Sequence, residues 1–272
     1  MLTSKKITGL LLILATVTAY PRPLAAQDSA TSRYDPDKQF EEILKKKSSL
    51  KVGLGAFAAT MPYKGENTKV YAFPFVFWRY KRFYCNGISA GWIAYVDKTF
   101  KLDIYTFPRI LGFQTKDNAY FDGMKSRQYS LDAGARLSFK PKNFKGLFVS
   151  FAAATDILGR SNGQELSLHI GKDIKVGWWY LIPSAGAVWQ SSRLADYYYG
   201  VTEDEARPNR PAYTARSGTS LAGALSFMFP LSKTTFLFNS SSIRFLDRSA
   251  RNSPLVSKDY LISEILGISW TI

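Results

Sequence analysis

The 272-residue chain has one cysteine, Cys85, and one histidine, His169. A lone cysteine cannot close an internal disulfide, and two such residues are too few for the usual zinc ligand sets. Cys85 reads as a small apolar residue. No glycine-rich phosphate loop, nucleotide fingerprint or cluster of metal ligands is present, so neither metal nor cofactor is expected. Acidic residues are scarce beside basic ones, 21 against 36, for a formal charge of +15. No apolar run is long enough to cross a bilayer as a helix. The apolar run at 7–20 follows Lys5 and Lys6 and precedes Pro21, Pro23 and Leu24-Ala25-Ala26. That is the order of a secretory signal, residues 1–26, with cleavage before Gln27. An exported chain with no spanning helix can enter a membrane only by strands.

What is present is alternation. In residues 176–190 one face carries Trp179, Leu181, Pro183, Ala185, Ala187 and Trp189, and the other includes Ser184, Gly186 and Gln190. The two tryptophans stand ten residues apart. At about 3.3 Å per residue and a tilt of about 40°, they are roughly 25 Å apart along a membrane normal. That matches the apolar band of an outer-membrane barrel with an aromatic anchor at each interface. Leu221, Gly223, Leu225, Phe227 and Phe229 repeat the pattern.

Similar runs begin at Leu50, and residues 50–272 divide into twelve strands. Residues 27–49 remain as a polar segment, a periplasmic arm with a lumen plug as the alternative, in which Phe40, Ile43 and Leu44 could make a short helix. Pro74 cannot donate to a ladder, so a bulge or locally opened pairing is expected there. Asn86-Gly87 signals a hairpin. Residues 82–86 are too few to span alone, and ten strands is the alternative count. Twelve strands place the short turns at 79–82, 97–98, 140–145, 172–175 and 230–233 on one side. The long loops at 108–126, 191–213 and 245–258 then share the other. Short periplasmic turns and long external loops characterise bacterial outer-membrane barrels. The expected fold is therefore an all-β, antiparallel transmembrane barrel. Trp179, Trp189 and Trp270 belong to its girdle. Glu264 shares the apolar face of the last strand, either near the outer interface or beside a bulge.

The same alternation sends Lys101, Asp103, Asp132, Arg136, Glu165, Ser167 and His169 into the lumen, where charges pair or line water. Ser167 and His169 resemble the close Ser and His of outer-membrane lipid hydrolases. Leu166, Leu168 and Ile170 claim the lipid face, however, so no catalytic residue is assigned. The turns carry Arg79, Lys81, Arg82, Lys98, Lys140, Lys142, Lys145, Lys172, Lys175 and Lys233 against Asp97 and Asp173. An exported basic chain meets outer-membrane lipid, lipopolysaccharide phosphate or cell-wall carboxylates rather than nucleic acid.

Several stretches resemble the MipA/OmpV family, the MltA-interacting protein group. They are DYYYGVTEDEARPNRPAY (196–213), TDILGRSNGQE (155–165), DGMKSRQYSLDAGARL (122–137), NSPLV (252–256) and Gly-Ile-Ser-Trp (267–270). The resemblance runs from about residue 50 to the C-terminus. It implies an outer-membrane barrel and, from the founding members, a scaffold for peptidoglycan enzymes, a murein hydrolase and a murein synthase. Such barrels usually end in an aromatic residue, whereas this chain ends in Ile272, two residues after Trp270. The expected function is a non-enzymatic scaffold; a narrow solute channel and a lipid-modifying enzyme are the rivals.

Overall fold

The computed structural model describes residues 48–272 together with Phe40, Ile43 and Lys45. The signal segment and most of the arm lie outside the described residues. The strands are β1 (Ser48–Ala59), β2 (Lys69–Tyr80), β3 (Phe83–Asn86), β4 (Ser89–Val96), β5 (Phe100–Arg109), β6 (Ser130–Phe139) and β7 (Leu147–Asp156). They continue with β8 (Gln164–Lys172), β9 (Ile174–Val176), β10 (Trp179–Gln190), β11 (Gly218–Pro230), β12 (Thr235–Phe245) and β13 (Tyr260–Thr271). Each pairs antiparallel with its sequence neighbours, except that β8 and β9 both pair with β10. The break between them is one residue, Asp173, so together they act as one strand of the wall. β13 pairs with β1, and the sheet closes into a twelve-stranded barrel. Closure pairs the edges that a membrane cannot solvate. Among the described residues no helix is long and apolar enough to cross a membrane.

Alternation decides which side chains face out. Leu54, Val70, Leu168, Ile170, Leu221 and Leu266 are each half or more exposed, at every second position of their strands. A belt of exposed large apolar side chains around a closed wall suits hydrocarbon, not water. Trp179, Trp189 and Trp270 share this outward parity. Trp179 packs on Phe227 and Phe229 of the neighbouring strand, with ring centroids 5.9 and 5.4 Å away. Glu264 also faces outward, and its carboxylate accepts a hydrogen bond from the Asn239 amide across the strand pair.

The turns follow local backbone chemistry. Asn86 pairs with Ser89, so the loop residues are Gly87 and Ile88, one position later than the Asn-Gly signal suggests. Gly87 has φ +66°, which suits a type II′ turn with Gly first. At the opposite end the loops are long and folded. Helix α1 (Ser192–Tyr199) is capped by the Ser191 side chain, and α2 (Arg248–Arg251) by Asp247. Tyr63, Phe113, Phe121, Leu194, Tyr198, Tyr199 and Leu255 meet there in one buried cluster over the barrel mouth.

Candidate functional site

The lumen divides into two sectors. The odd positions of β2 point inward, and Phe75 and Phe77 are buried with Phe238 of β12. Glycines on β1 and β13 make room for these rings. A Cβ on Gly55 would fall 2.4 Å from the Phe75 ring, and one on Gly267 would fall 2.5 Å from the Phe238 ring. Phe73 stands beside Phe75, and Tyr71 stacks on Phe57. This side of the interior is aromatic.

The other side is ionic. Asp103 on β5 has no exposed surface. It accepts from Lys101 Nζ at 2.7 Å, from the Tyr84 hydroxyl at 2.5 Å and from the Arg136 guanidinium. Nearer the mouth, Arg109 donates to Asp132 and, at 2.9 Å, to Glu165. Glu165 also accepts from Gln190 Nε2 at 3.0 Å and lies 3.5 Å from Arg244. Buried charges persist when they are paired and hydrogen-bonded together, as here. The predicted lumen residues Lys101, Asp103, Asp132, Arg136, Glu165 and His169 are all buried, and Ser167 is half-buried on the same parity. Arg109 and Arg244 complete the network and were not anticipated. Arg109 continues the parity of Lys101 and Asp103, but only if β5 runs past Pro108. Among the described residues no group of three or more His, Cys, Asp or Glu side chains is placed to hold a metal ion.

The cap has its own ion pair. Arg127 donates to both oxygens of Glu205, at 3.0 and 2.7 Å, and the Lys125 N–H adds a third bond at 2.9 Å. Arg210 is buried and donates to the carbonyls of Glu205, Asp122 and Tyr120. Ser253 Oγ donates to the Tyr199 carbonyl at 2.6 Å. The stretches 122–137, 196–213 and 252–256 therefore meet here. In the loop at 157–163, Asp156 accepts from the Ser130 hydroxyl and from the N–H groups of Leu158, Ser161 and Asn162.

At the short-turn end, Lys81, Arg82, Lys98, Lys142, Lys145, Lys172, Lys175 and Lys233 are exposed. Two expected rim residues depart from this picture. Arg79 is fully buried because β2 extends to Tyr80, which keeps Arg79 on the inward parity of Phe75 and Phe77. Lys140 continues the inward parity of Arg136 and Ser138. It lies 3.5 Å from Asp173, with Nζ 5.6 Å from the Phe40 ring. The exposed rim is thus eight basic side chains against the carboxylate of Asp97. Phe40 and Ile43 are themselves buried among Tyr84, Ile93, Tyr105, Ala152 and Ala154.

A closed antiparallel barrel with an apolar belt, a paired interior and short turns at one end is an outer-membrane protein. Comparison with known proteins agrees. The family model "MltA-interacting protein MipA" matches residues 52–272, and the chain belongs to that family. It is 25% identical over 224 residues to the putative outer membrane protein YiaT of Escherichia coli K12, covering 82% of this chain and 91% of that one. It is 26% identical over 212 residues to the MltA-interacting protein of the same strain, covering 77% and 84%. Among solved structures, OmpT, an outer membrane protein of Vibrio cholerae, aligns over 84% of this chain and 98% of its own at 6% identity and a TM-score of 0.36. The protein is an outer-membrane barrel.

Proposed function

We propose that the protein is a non-enzymatic adaptor that holds a periplasmic murein enzyme near the cell wall through its basic turn rim. The observation that carries this reading is the charge on the short-turn end, eight exposed cations against Asp97, below a barrel whose mouth is covered. Peptidoglycan and acidic proteins both present carboxylates to such a rim. The name of the relative described as MltA-interacting supports a wall-enzyme partner. Solute passage fits less well. The lumen carboxylates Asp103, Asp132 and Glu165 are each held in ion pairs, and the buried cap crosses the outer mouth. A planar bilayer should therefore show no steady conductance. A lipid hydrolase would need Ser167 and His169 at a lipid ester, yet both point inward, away from Leu166 and Leu168 on the lipid face.

The test is binding to purified cell-wall sacculi. Exposed charges are screened beyond about 8 Å at physiological salt, so binding should fall as salt rises. It should fall again when Lys142, Lys145, Lys172 and Lys175 become Gln, with the barrel still folded and inserted. Unchanged binding by that variant would remove the rim from the function.

A further inference from the structure

The barrel wall is not continuous. β2 pairs with β1 along its whole length, from Lys69 opposite Ala59 to Tyr80 opposite Ser48. On its other side it pairs only over Phe77–Tyr80, because β3 ends at Asn86. Above that point the one further bond is from Gly87 N–H to the Val76 carbonyl at 2.9 Å. β5 has the matching deficit. It pairs with β4 only as far as Thr106 but continues beside β6 to Arg109. Among the described residues no backbone hydrogen bond joins the edge of β2 at 69–75 to any other segment on this side. Seven residues at about 3.3 Å each give some 23 Å of free edge. The missing length of two strands leaves β2 and β5 roughly 14 Å apart.

The opening lies in the half of the wall nearer the long loops. Exposed Val70 and Val76 line its β2 side, and exposed Ile104 lies just below it on β5, opposite Trp92, so it opens within the apolar belt. An unpaired strand edge in hydrocarbon leaves amides with no partner, at several kcal/mol for each group. The sequence removes one of these donors on each edge. The Val76 carbonyl points to the β3 side, so by the period of two the nitrogens of Pro74, Ala72 and Val70 point the same way. The Phe100 carbonyl accepts from Asp97 N–H on the β4 side, so Pro108 likewise presents its nitrogen to the opening. Pro74 and Pro108 are each the first such position beyond the last ladder bond on their side. Neither carries an N–H to be orphaned. Above Pro74 the amides of Ala72 and Val70, with the neighbouring carbonyls, need a polar partner.

Inside the opening the lumen is aromatic. Phe73 and Phe107, inward and half-buried, stand on its two sides. Behind Phe73 lie buried Phe75 and Phe77 and half-buried Phe238. Axial entry from outside is covered by the cluster around Tyr63, Phe113 and Phe121.

From this geometry we infer that the opening between β2 and β5 admits an acyl chain of a lipid from the surrounding outer leaflet. The chain packs on the aromatic sector, while the ester and hydroxyl groups of the same lipid meet the free amides of Val70 and Ala72. The inference rests on the wall alone and is independent of the rim.

The test uses the full barrel in vesicles of palmitoyl-oleoyl phosphatidylcholine. The photo-crosslinker p-benzoylphenylalanine replaces one aromatic at a time, and adducts are read by mass spectrometry. Phe73 and Phe107 flank the opening; Phe151 faces lipid on β7; Phe236 faces the lumen behind an unbroken wall. Phospholipid adducts are expected at Phe73, Phe107 and Phe151, with at least a tenfold lower yield at Phe236. Yields at Phe73 and Phe107 as low as that at Phe236 would overturn the inference. Equal labelling of Phe236 and Phe73 would also overturn it, because the lumen would then be reached by another route. In a second arm with isotopically labelled oleate added, capture of oleate without phospholipid would overturn the assignment to a leaflet lipid. If the Phe73 variant does not fold, Phe107 gives the same reading from the other edge.

Discussion

The buried carboxylate of Asp103 holds two cations and a phenol, and removing its charge should be among the most damaging isosteric changes in the barrel. Lys101 and Arg136 are both nearly inaccessible, and Asp103 supplies the anion for each. Asp103→Asn keeps the shape, so no cavity is created and the cost is electrostatic. Breaking a buried ion pair from one side costs about 3–5 kcal/mol, because the remaining charge stays buried without compensation. The amide oxygen still accepts one hydrogen bond, which places the expectation at the lower end, about 3 kcal/mol. At about 1.4 kcal/mol per tenfold, the folded population should fall relative to the unfolded by a factor on the order of a hundred. The measurement is urea unfolding in phospholipid vesicles, followed by tryptophan fluorescence and by the gel-mobility difference between folded and unfolded barrel. Arg136→Gln should be similarly costly. The double variant should cost less than the sum by about 1 kcal/mol or more, since the two residues share one network. A loss below 1 kcal/mol would refute the reasoning. So would a loss that shrinks in high salt, which is how an exposed pair behaves.

Ala185 faces lipid near the midpoint between Trp179 and Trp189, so Ala185→Arg should cost about 2–4 kcal/mol in the same unfolding assay, and Leu181→Arg, next to Trp179, should cost less; equal tolerance along β10 would show that this face is not in hydrocarbon. In a Cys85→Ser background, Pro208→Cys should react with impermeant maleimide on intact cells, whereas Lys142→Cys should react only after the outer membrane is opened. Burial by itself would raise the pKa of Glu205, but Arg127 and the Lys125 N–H outweigh it and hold the carboxyl below its usual 4.5. A folded value below the unfolded one stabilises the cap above pH 4.5 and is lost as pH falls through the folded value. Protease cleavage within 203–213 should therefore rise only in acid, and Glu205→Gln should show the acid rate at neutral pH.

Much of the wall was legible because its signal has a period of two. The parity of Leu166, Leu168 and Ile170 against Glu165, Ser167 and His169 survives whatever the loops do. Boundaries were less legible. Arg79 and Lys140 were read as turn residues because a basic side chain near a turn looks solvated, but each continues the inward parity of its strand. Arg109 was missed for the converse reason, since Pro108 suggests that a strand has ended. Pro108 instead occupies a place where no partner strand asks for its N–H. Pro74 signalled an opened pairing, and the ladder indeed stops beside it. The cap was illegible as structure. Its buried cluster joins residues as far apart as Tyr63 and Leu255, and no local period records such contacts.

The two sectors of the lumen are arranged as the broken wall requires. Where the ladder is interrupted, the interior offers rings to whatever enters. The ionic network lies on β5, β6, β8, β10 and β12; Asp132 and Glu165 sit where β6, β7, β8 and β10 form an unbroken ladder, and their ion pairs hold Arg109, which stands on the free stretch of β5 beyond Thr106. The reverse arrangement would place charges against hydrocarbon, at several kcal/mol for each ion. Lipid access and rim docking therefore draw on different residues at opposite ends of the barrel, and this separation can be measured. The barrel lacking the charges of Lys142, Lys145, Lys172 and Lys175 should form phospholipid adducts from Phe73 at the wild-type yield. Conversely, the Phe73 crosslinker variant should bind sacculi as wild type does. Loss of sacculus binding on substitution at Phe73 would mean that lipid occupancy and the rim are coupled through the lumen, where Phe40 and Ile43 share a buried cluster with Tyr105 and Ala152 against which Phe107 packs.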